Sequence, residues 1–167
     1  YKVTKNLINQ GKKDIYFIST VRKYSVNNGK LNGYTKAMEE AGLSPKVFRT
    51  SGDLSINSQH FKEYFNNQNV EAALAVRDSI AVSFMNAMLD LGKRVPEDVS
   101  VVGFQNTKYA LLSRPTLTCI DTPVYDIGAV SMRLLTKLML NEEVASNNHY
   151  NLPYRVIVRK SMDIIEE

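Results

Sequence analysis

An α/β fold, doubly wound around a parallel sheet, is what this 167-residue sequence predicts, and three observations carry the expectation. Apolar runs of strand length alternate with helical periodicities in a βαβα rhythm, which implies a parallel sheet covered by helices on both faces. The runs "DIYFIST", "VEAALAV" and "DVSVVGF" are continuously apolar rather than alternating, as strands buried on both faces must be. The changes of period fall at Asn, Gly and Asp clusters, the residues that favour turns and helix ends. With 44% hydrophobic and 23% charged residues, the chain has the composition of an ordinary globular domain with a real core.

The elements follow in order. Val3, Leu7 and Ile8 have helical spacing, and Gly11 stands where that helix stops. Residues 14–20 read as a strand. The Asn-rich entry of "NNGKLNGYTKAMEEAGL" opens an amphipathic helix with Leu31, Tyr34, Met38 and Ala41 on one face, closed by Gly42. Residues 46–50 are a strand. Residues 56–68 are a helix whose inward candidates are Ile56, His60, Phe61 and Phe65. A strand over 70–76 leads to Asp78, read as the N-cap of the helix "SIAVSFMNAMLDLG", which ends at Gly92. Residues 98–104 are the next strand. Then "PTLTCID" (115–121) is extended and 123–142 is a strong helix with Pro123 near its start. Residues 147–151 are a polar loop, and 152–164 a closing strand.

In such sheets ligands bind beyond the carboxyl ends of the strands. That rule selects three places: after Thr20, at Arg77–Asp78, and at Gln105–Asn106. Two polar amides at the end of a strand read equally as a ligand contact or as an ordinary turn.

The chemistry of most enzymes finds no foothold here. The net charge of +4 is spread along the chain, so no basic arm or polybasic patch points to nucleic acid or membrane. A single cysteine, Cys119, precludes a disulfide within the chain and reads as a buried small hydrophobe. His60 and His149 lack metal-ligand spacing. "GKLNG" lies inside a helix pattern instead of following a strand, so it is no phosphate loop, and no Gly-x-Ser-x-Gly elbow occurs. Glu39–Glu40 and Glu97–Asp98 read as solvated pairs. No catalytic residue, metal site or cofactor is expected, and a nucleotide-using α/β enzyme is the remote alternative. No run is long enough to span a membrane, and the N-terminus lacks a signal-peptide core; a cytoplasmic protein is expected.

Several stretches carry a resemblance. "VPEDVSVVGF", then "RPTLT", then "YDIGAVSMRLL" resemble the effector-binding domain of LacI/GalR-type bacterial transcription regulators. "LINQGKKDIYFIS", "GKLNGYTKAMEEAGL" and "AALAVRDSIAVSFMNAMLDLGKRVPEDVSVVGF" extend the match over nearly the whole chain, in the family's order. The resemblance implies a periplasmic-binding-protein-like fold of two lobes with the first lobe incomplete. Residues 1–117 would form the distal lobe, 118–152 part of a DNA-proximal lobe, and 153–167 a strand returning to the distal lobe. It also implies operator binding through a headpiece absent from these residues.

The resemblance places an effector pocket at Lys30, Arg77, Gln105, Asn106 and Thr122. The pocket matches the family in location but departs in chemistry. Lys30 stands where an arginine is common, Arg77-Asp78 where Asn-Asp or Ser-Asp is, and Gly103-Phe104-Gln105 where Gly-Phe-Asp is. Arg would offer a planar fork where Lys is a point charge, and Gln both donates and accepts where Asp only accepts. A sugar phosphate, a pocket that no longer takes a small sugar, and a neutral sugar are the competing expectations for this small-molecule effector. A sugar-binding protein of a transport system is the alternative for the chain as a whole.

Two partner surfaces are also implied. "VYDIGAVSMRLLTKLM" looks like the catabolite-control branch of the family, in which this helix binds the phosphocarrier HPr phosphorylated on serine. Tyr125, Val130, Arg133 and Lys137 are the candidate contacts, against the alternative of an ordinary surface helix. The apolar helix after Asp78 and the nearby 109–112 segment imply a homodimer through Val82, Met85, Met88, Leu89 and Leu111, against burial of that helix within the monomer.

Overall fold

Tyr34 shows how the sheet acquires its first covering helix. Its ring stacks on Phe17 at 5.4 Å, and its hydroxyl donates to the Ile15 carbonyl and accepts from the Lys46 N–H, both at 2.8 Å. One buried side chain thus ties a helix to two adjacent strands, and burial pushes its phenol up to about 12. The computed structural model describes residues 1–22, 24–143 and 150–163. His149 and residues 164–167 of the expected closing segment lie outside them.

The elements are α1 (Lys2–Asn9), β1 (Ile15–Thr20), α2 (Ser25–Glu40), β2 (Lys46–Thr50), α3 (Leu54–Phe65), β3 (Ala72–Ala75), α4 (Asp78–Asp90), β4 (Ser100–Phe104), α5 (Lys108–Leu112), β5 (Thr118–Asp121), α6 (Val124–Met139) and β6 (Arg155–Ile157). The six strands form one sheet in the order β2-β1-β3-β4-β5-β6. The first five are parallel, and β6 is antiparallel to β5. The sheet order reverses at β1, where β2 and β3 lie on opposite sides of it. That reversal opens a crevice at the carboxyl edge.

The expected continuity of burial holds where the strands are central: every residue of β1, β3 and β4 is buried. The edge strand β2 alternates instead, because only one of its faces has a full cover. On the face opposite α2, Tyr16, Phe48, Phe61, Tyr64, Phe65 and Phe84 form an aromatic cluster with centroids 4.8–6.3 Å apart, the spacing of edge-to-face and tilted pairs.

Several local expectations are corrected. Ala41 is exposed because α2 ends at Glu40 and Ala41 is its C-cap, while Ala37 is buried beside Tyr34 and Met38 on the inward face. In α3, Ile56 and His60 are exposed, and the buried polar residue is Asn57, whose side-chain oxygen accepts from the Thr50 hydroxyl. Asp78 is the first residue of α4, not its N-cap, which is Arg77. The strand at 118–121 does not leave for a second lobe at residue 118. It pairs with β4, Val102 opposite Thr118 and Phe104 opposite Ile120, so it continues the same sheet. Only α6 departs from the sheet, after Thr122–Pro123, and it buries none of its residues. The chain returns at β6, and Ser161 then locks it: its hydroxyl accepts from Thr118 N–H at 2.8 Å and donates to the Val101 carbonyl.

Gly103 lies in the middle of this arrangement. A Cβ there would sit 2.5 Å from Asp78 Oδ1 and 2.8 Å from Leu117 Cδ2. Gly103→Ala is therefore predicted to destabilise the chain by about 1–3 kcal/mol through overpacking, read by urea unfolding. An unchanged midpoint would contradict the packing described.

Candidate functional site

The carboxyl ends of β1, β3, β4 and β5 surround a cleft of about 330 Å³. Lys30, Arg77, Gln105 and Thr122 line it, so four of the five residues expected at an effector pocket converge. Thr20, Tyr24, Val26, Asn27, Val76 and Val124 complete the wall. Tyr24 and Asn27 belong to no motif legible in the sequence; the signal available was only the polar, Asn-rich start of α2.

The fifth expected residue, Asn106, turns away. Its side-chain oxygen accepts from Arg159 Nη2 at 2.6 Å, while Arg159 Nη1 donates to the Leu117 carbonyl at 2.7 Å. Asn106 thus clips the β4–α5 turn to the segment after β6, while Gln105 lines the cleft. Gln105 has φ +105° and Asn106 φ +55°. Asn tolerates the left-handed region; Gln there is uncommon and strained. The Gln105 N–H donates to the Ile120 carbonyl at 2.9 Å, which fixes the backbone while the exposed side chain projects at the cleft.

Asp78 holds this turn from behind. Its carboxylate is 1% exposed and accepts from Thr107 N–H at 2.5 Å, from Thr107 Oγ1 at 2.9 Å and from the Cys119 thiol at 3.3 Å. The cysteine is accordingly a buried structural donor. Burial, with the Asp78 charge beside it, pushes its thiol up to about 12, so no thiolate is available for nucleophilic work.

Two cations give the cleft its character. Lys30 Nζ donates to the Val76 carbonyl at 3.0 Å and lies 4.5 Å from the centroid of the Phe104 ring, a cation–π distance. Burial lowers the Lys30 pKa; the Asp78 charge works against that shift and Arg77 adds to it. Arg77 occupies the N-cap of α4, where a helix dipole favours an anion over a cation. Its guanidinium also approaches Gly52 (φ +83°), at which a Cβ would lie 2.7 Å from Nη2. Among the described residues, no group of three or more His, Cys, Asp or Glu is placed to hold a metal, and no helix is long and apolar enough to cross a membrane.

The expected partner surfaces differ in accessibility. On α6, Tyr125 is 90% exposed, Arg133 and Lys137 are exposed, and Val130 is partly so. On α4, Met85 and Met88 are fully buried in the chain's own core, which corrects their assignment to a dimer surface, since neither side chain is left for a partner to touch. Val82 is half-buried, and Leu89 and Leu111 are exposed.

A family model described as periplasmic binding protein-like domain matches residues 4–162. Catabolite control protein A of Priestia megaterium is 34% identical over 166 residues, covering 96% of this chain and 50% of that protein. The chain thus spans about half the length of such curated relatives. The crystal structure of transcription regulator CcpA of Lactococcus lactis superposes with a TM-score of 0.87 at 34% identity, over 98% of this chain and 60% of that one. A transcriptional regulator CelR–cellobiose complex superposes at 0.85 with 25% identity, over 95% and 50% respectively.

Lys30→Met keeps the aliphatic stem and removes the charge. The chain should remain folded by thermal melt and lose about tenfold in affinity for an anionic cleft ligand, the worth of one charge-assisted hydrogen bond. Unchanged affinity by calorimetry would remove Lys30 from the site.

Proposed function

We propose that this chain, which belongs to the periplasmic binding protein-like domain family, is the effector-binding part of a LacI-type bacterial transcription regulator of the catabolite-control kind. The observation that carries the proposal is the convergence of Lys30, Arg77, Gln105 and Thr122 on one cleft at the sheet's switch point, in a chain one-third identical to a catabolite control protein. The cleft binds and does no chemistry: no carboxylate, imidazole or thiol is among its lining residues. Its effector is a sugar or sugar phosphate. The cellobiose complex of CelR supports the sugar class, and the two cations favour an anionic member of it. The relatives named above are regulators, so a sugar-binding transport protein is the less favoured reading.

Helix α6 is the second input. It leaves the sheet at Thr122–Pro123, directly beside the cleft, so a ligand touching Thr122 and Val124 bears on the helix's orientation. Val130, Arg133 and Lys137 are spaced by three and four residues and share one stripe. A stripe with two cations suits a phosphoserine through charge-assisted hydrogen bonds, and serine-phosphorylated HPr is the partner proposed. Ligand and partner would favour one orientation of α6 and its lobe relative to the sheet, and so alter operator binding through a DNA-binding headpiece. Leu89 and Leu111, with Tyr109 and Leu112 also exposed, are the proposed homodimer contacts.

Calorimetric titration of the full-length protein with serine-phosphorylated HPr tests the partner. Saturable binding is expected, weakened at least about tenfold in Arg133→Glu, and light scattering of the same sample should give a dimer. No heat of binding, or equal affinity in the variant, would reduce α6 to a surface helix.

A further inference from the structure

We propose that a second cavity, at the carboxyl ends of β1 and β2, is an oxyanion subsite that takes a phosphoryl group. This cavity of about 280 Å³ is lined by Ser19, Arg22, Asn27, Asn28, Leu31 and Arg49. Its polar wall consists of two guanidiniums, two amides and one hydroxyl, with no carboxylate among the lining residues.

The fold builds this wall from three elements. Ser19 and Arg49 are register partners in the parallel pairing of β1 with β2, so their side chains leave the sheet on the same face. That face is the one of Phe17, two residues before Ser19, which stacks on Tyr34 of α2. The first turns of α2 supply Asn27 and Asn28 across the gap, and Arg22 enters from the β1–α2 connection. Helix α2 begins at Tyr24 with no side-chain cap. The positive end of a 16-residue helix is therefore left near the same cavity.

Two further observations point to a ligand. Ser19 is 3% exposed, yet its hydroxyl has no hydrogen-bond partner among the described residues. Ser19 lines the cavity, so its hydroxyl is open to a ligand there. Arg22 and Arg49 make no ion pair among the described residues. Two exposed cations beside one small cavity repel one another, and an anion between them turns that repulsion into attraction. Guanidiniums match the oxygens of a phosphoryl group in forked geometry, and Ser and Asn donors serve the remaining lone pairs.

The subsite adjoins the cleft, because Asn27 lines both cavities. A phosphate ester with its polyol against Gln105 and Thr122 would reach the subsite past Asn27; free phosphate would occupy the subsite alone. The first arrangement rests on the effector reading of the cleft, and the second does not.

The test titrates the full-length protein, wild type and Arg49→Gln, with inorganic phosphate, a hexose phosphate and the same hexose unphosphorylated. Arg49 is exposed on an edge strand, so the variant should fold, and its thermal melt checks this. The expected result is that the hexose phosphate binds at least about tenfold more tightly than the hexose, and that Arg49→Gln removes the difference. Inorganic phosphate should compete with the ester in the wild type. Phosphate binding lost in Arg49→Gln, with neither sugar bound, would uphold the subsite and reject the sugar reading of the cleft. Equal binding of hexose and hexose phosphate, unaffected by the variant, would overturn the subsite and leave the cleft reading standing. Absence of binding by all three ligands, or an ester affinity unchanged in Arg49→Gln, would also overturn it.

Discussion

The buried carboxylate of Asp78 is the constraint on which the site depends. It issues from the first residue of α4, at the end of β3, and accepts hydrogen bonds from Thr107 in the β4–α5 turn and from Cys119 on β5. Three successive passages of the chain are thereby tied at the carboxyl edge of the sheet. A charge removed from water at this depth is tolerable only when its lone pairs are filled, and here two donors come from one threonine. The close approach of Gly103 to the same carboxylate follows, since any side chain would displace it. The turn so held is the one that carries Gln105 into the cleft, and the Arg159–Asn106 bond anchors its far side.

On that frame the cleft is cationic without being reactive. Lys30 and Arg77 face it, and Arg22 and Arg49 line the cavity joined to it through Asn27. The few polar side chains opposite them are amides and hydroxyls that carry no charge. Such a surface suits the polyol or anionic effector proposed for it, and no carboxylate, imidazole or thiol is among its lining residues. Its position matters as much as its charge: Thr122 and Val124 belong both to the cleft wall and to the departure of α6. The proposed ligand in the cleft and the proposed partner on α6 would therefore act on the same short connection, which is the physical basis proposed for coupling them.

The central strands were legible in the sequence because burial on both faces forces a continuous apolar run, and "AALAV" and "SVVGF" admit no other periodicity. The helices were legible in extent but less so in facing. Ala41 falls just past the end of α2, and His60 and Asn57 lie less than one turn apart in α3; composition decides neither. The fate of 118–121 was not legible: a short run such as "TCID" fits any sheet, and only pairing with β4 assigns it. At the site, strand ends pointed to Arg77 and Gln105, and the family resemblance added Lys30 and Thr122; the four line one cleft. Orientation was not legible, because Asn106 is claimed by Arg159, 53 residues away. Met85 and Met88 were misplaced for a related reason. A helix apolar on nearly every side gives no sign of which side meets its own sheet.

The central claim is that occupancy of the cleft fixes α6 relative to the sheet. It is tested most directly by electron–electron distance measurement on full-length protein, with spin labels on cysteines introduced at the exposed positions Asn66 and Met132. The native Cys119 is buried and should not react. With a hexose phosphate at saturation, the account predicts a narrowed and displaced distance distribution between the labels, and the same change with serine-phosphorylated HPr. A distribution that is identical with and without both ligands would contradict it.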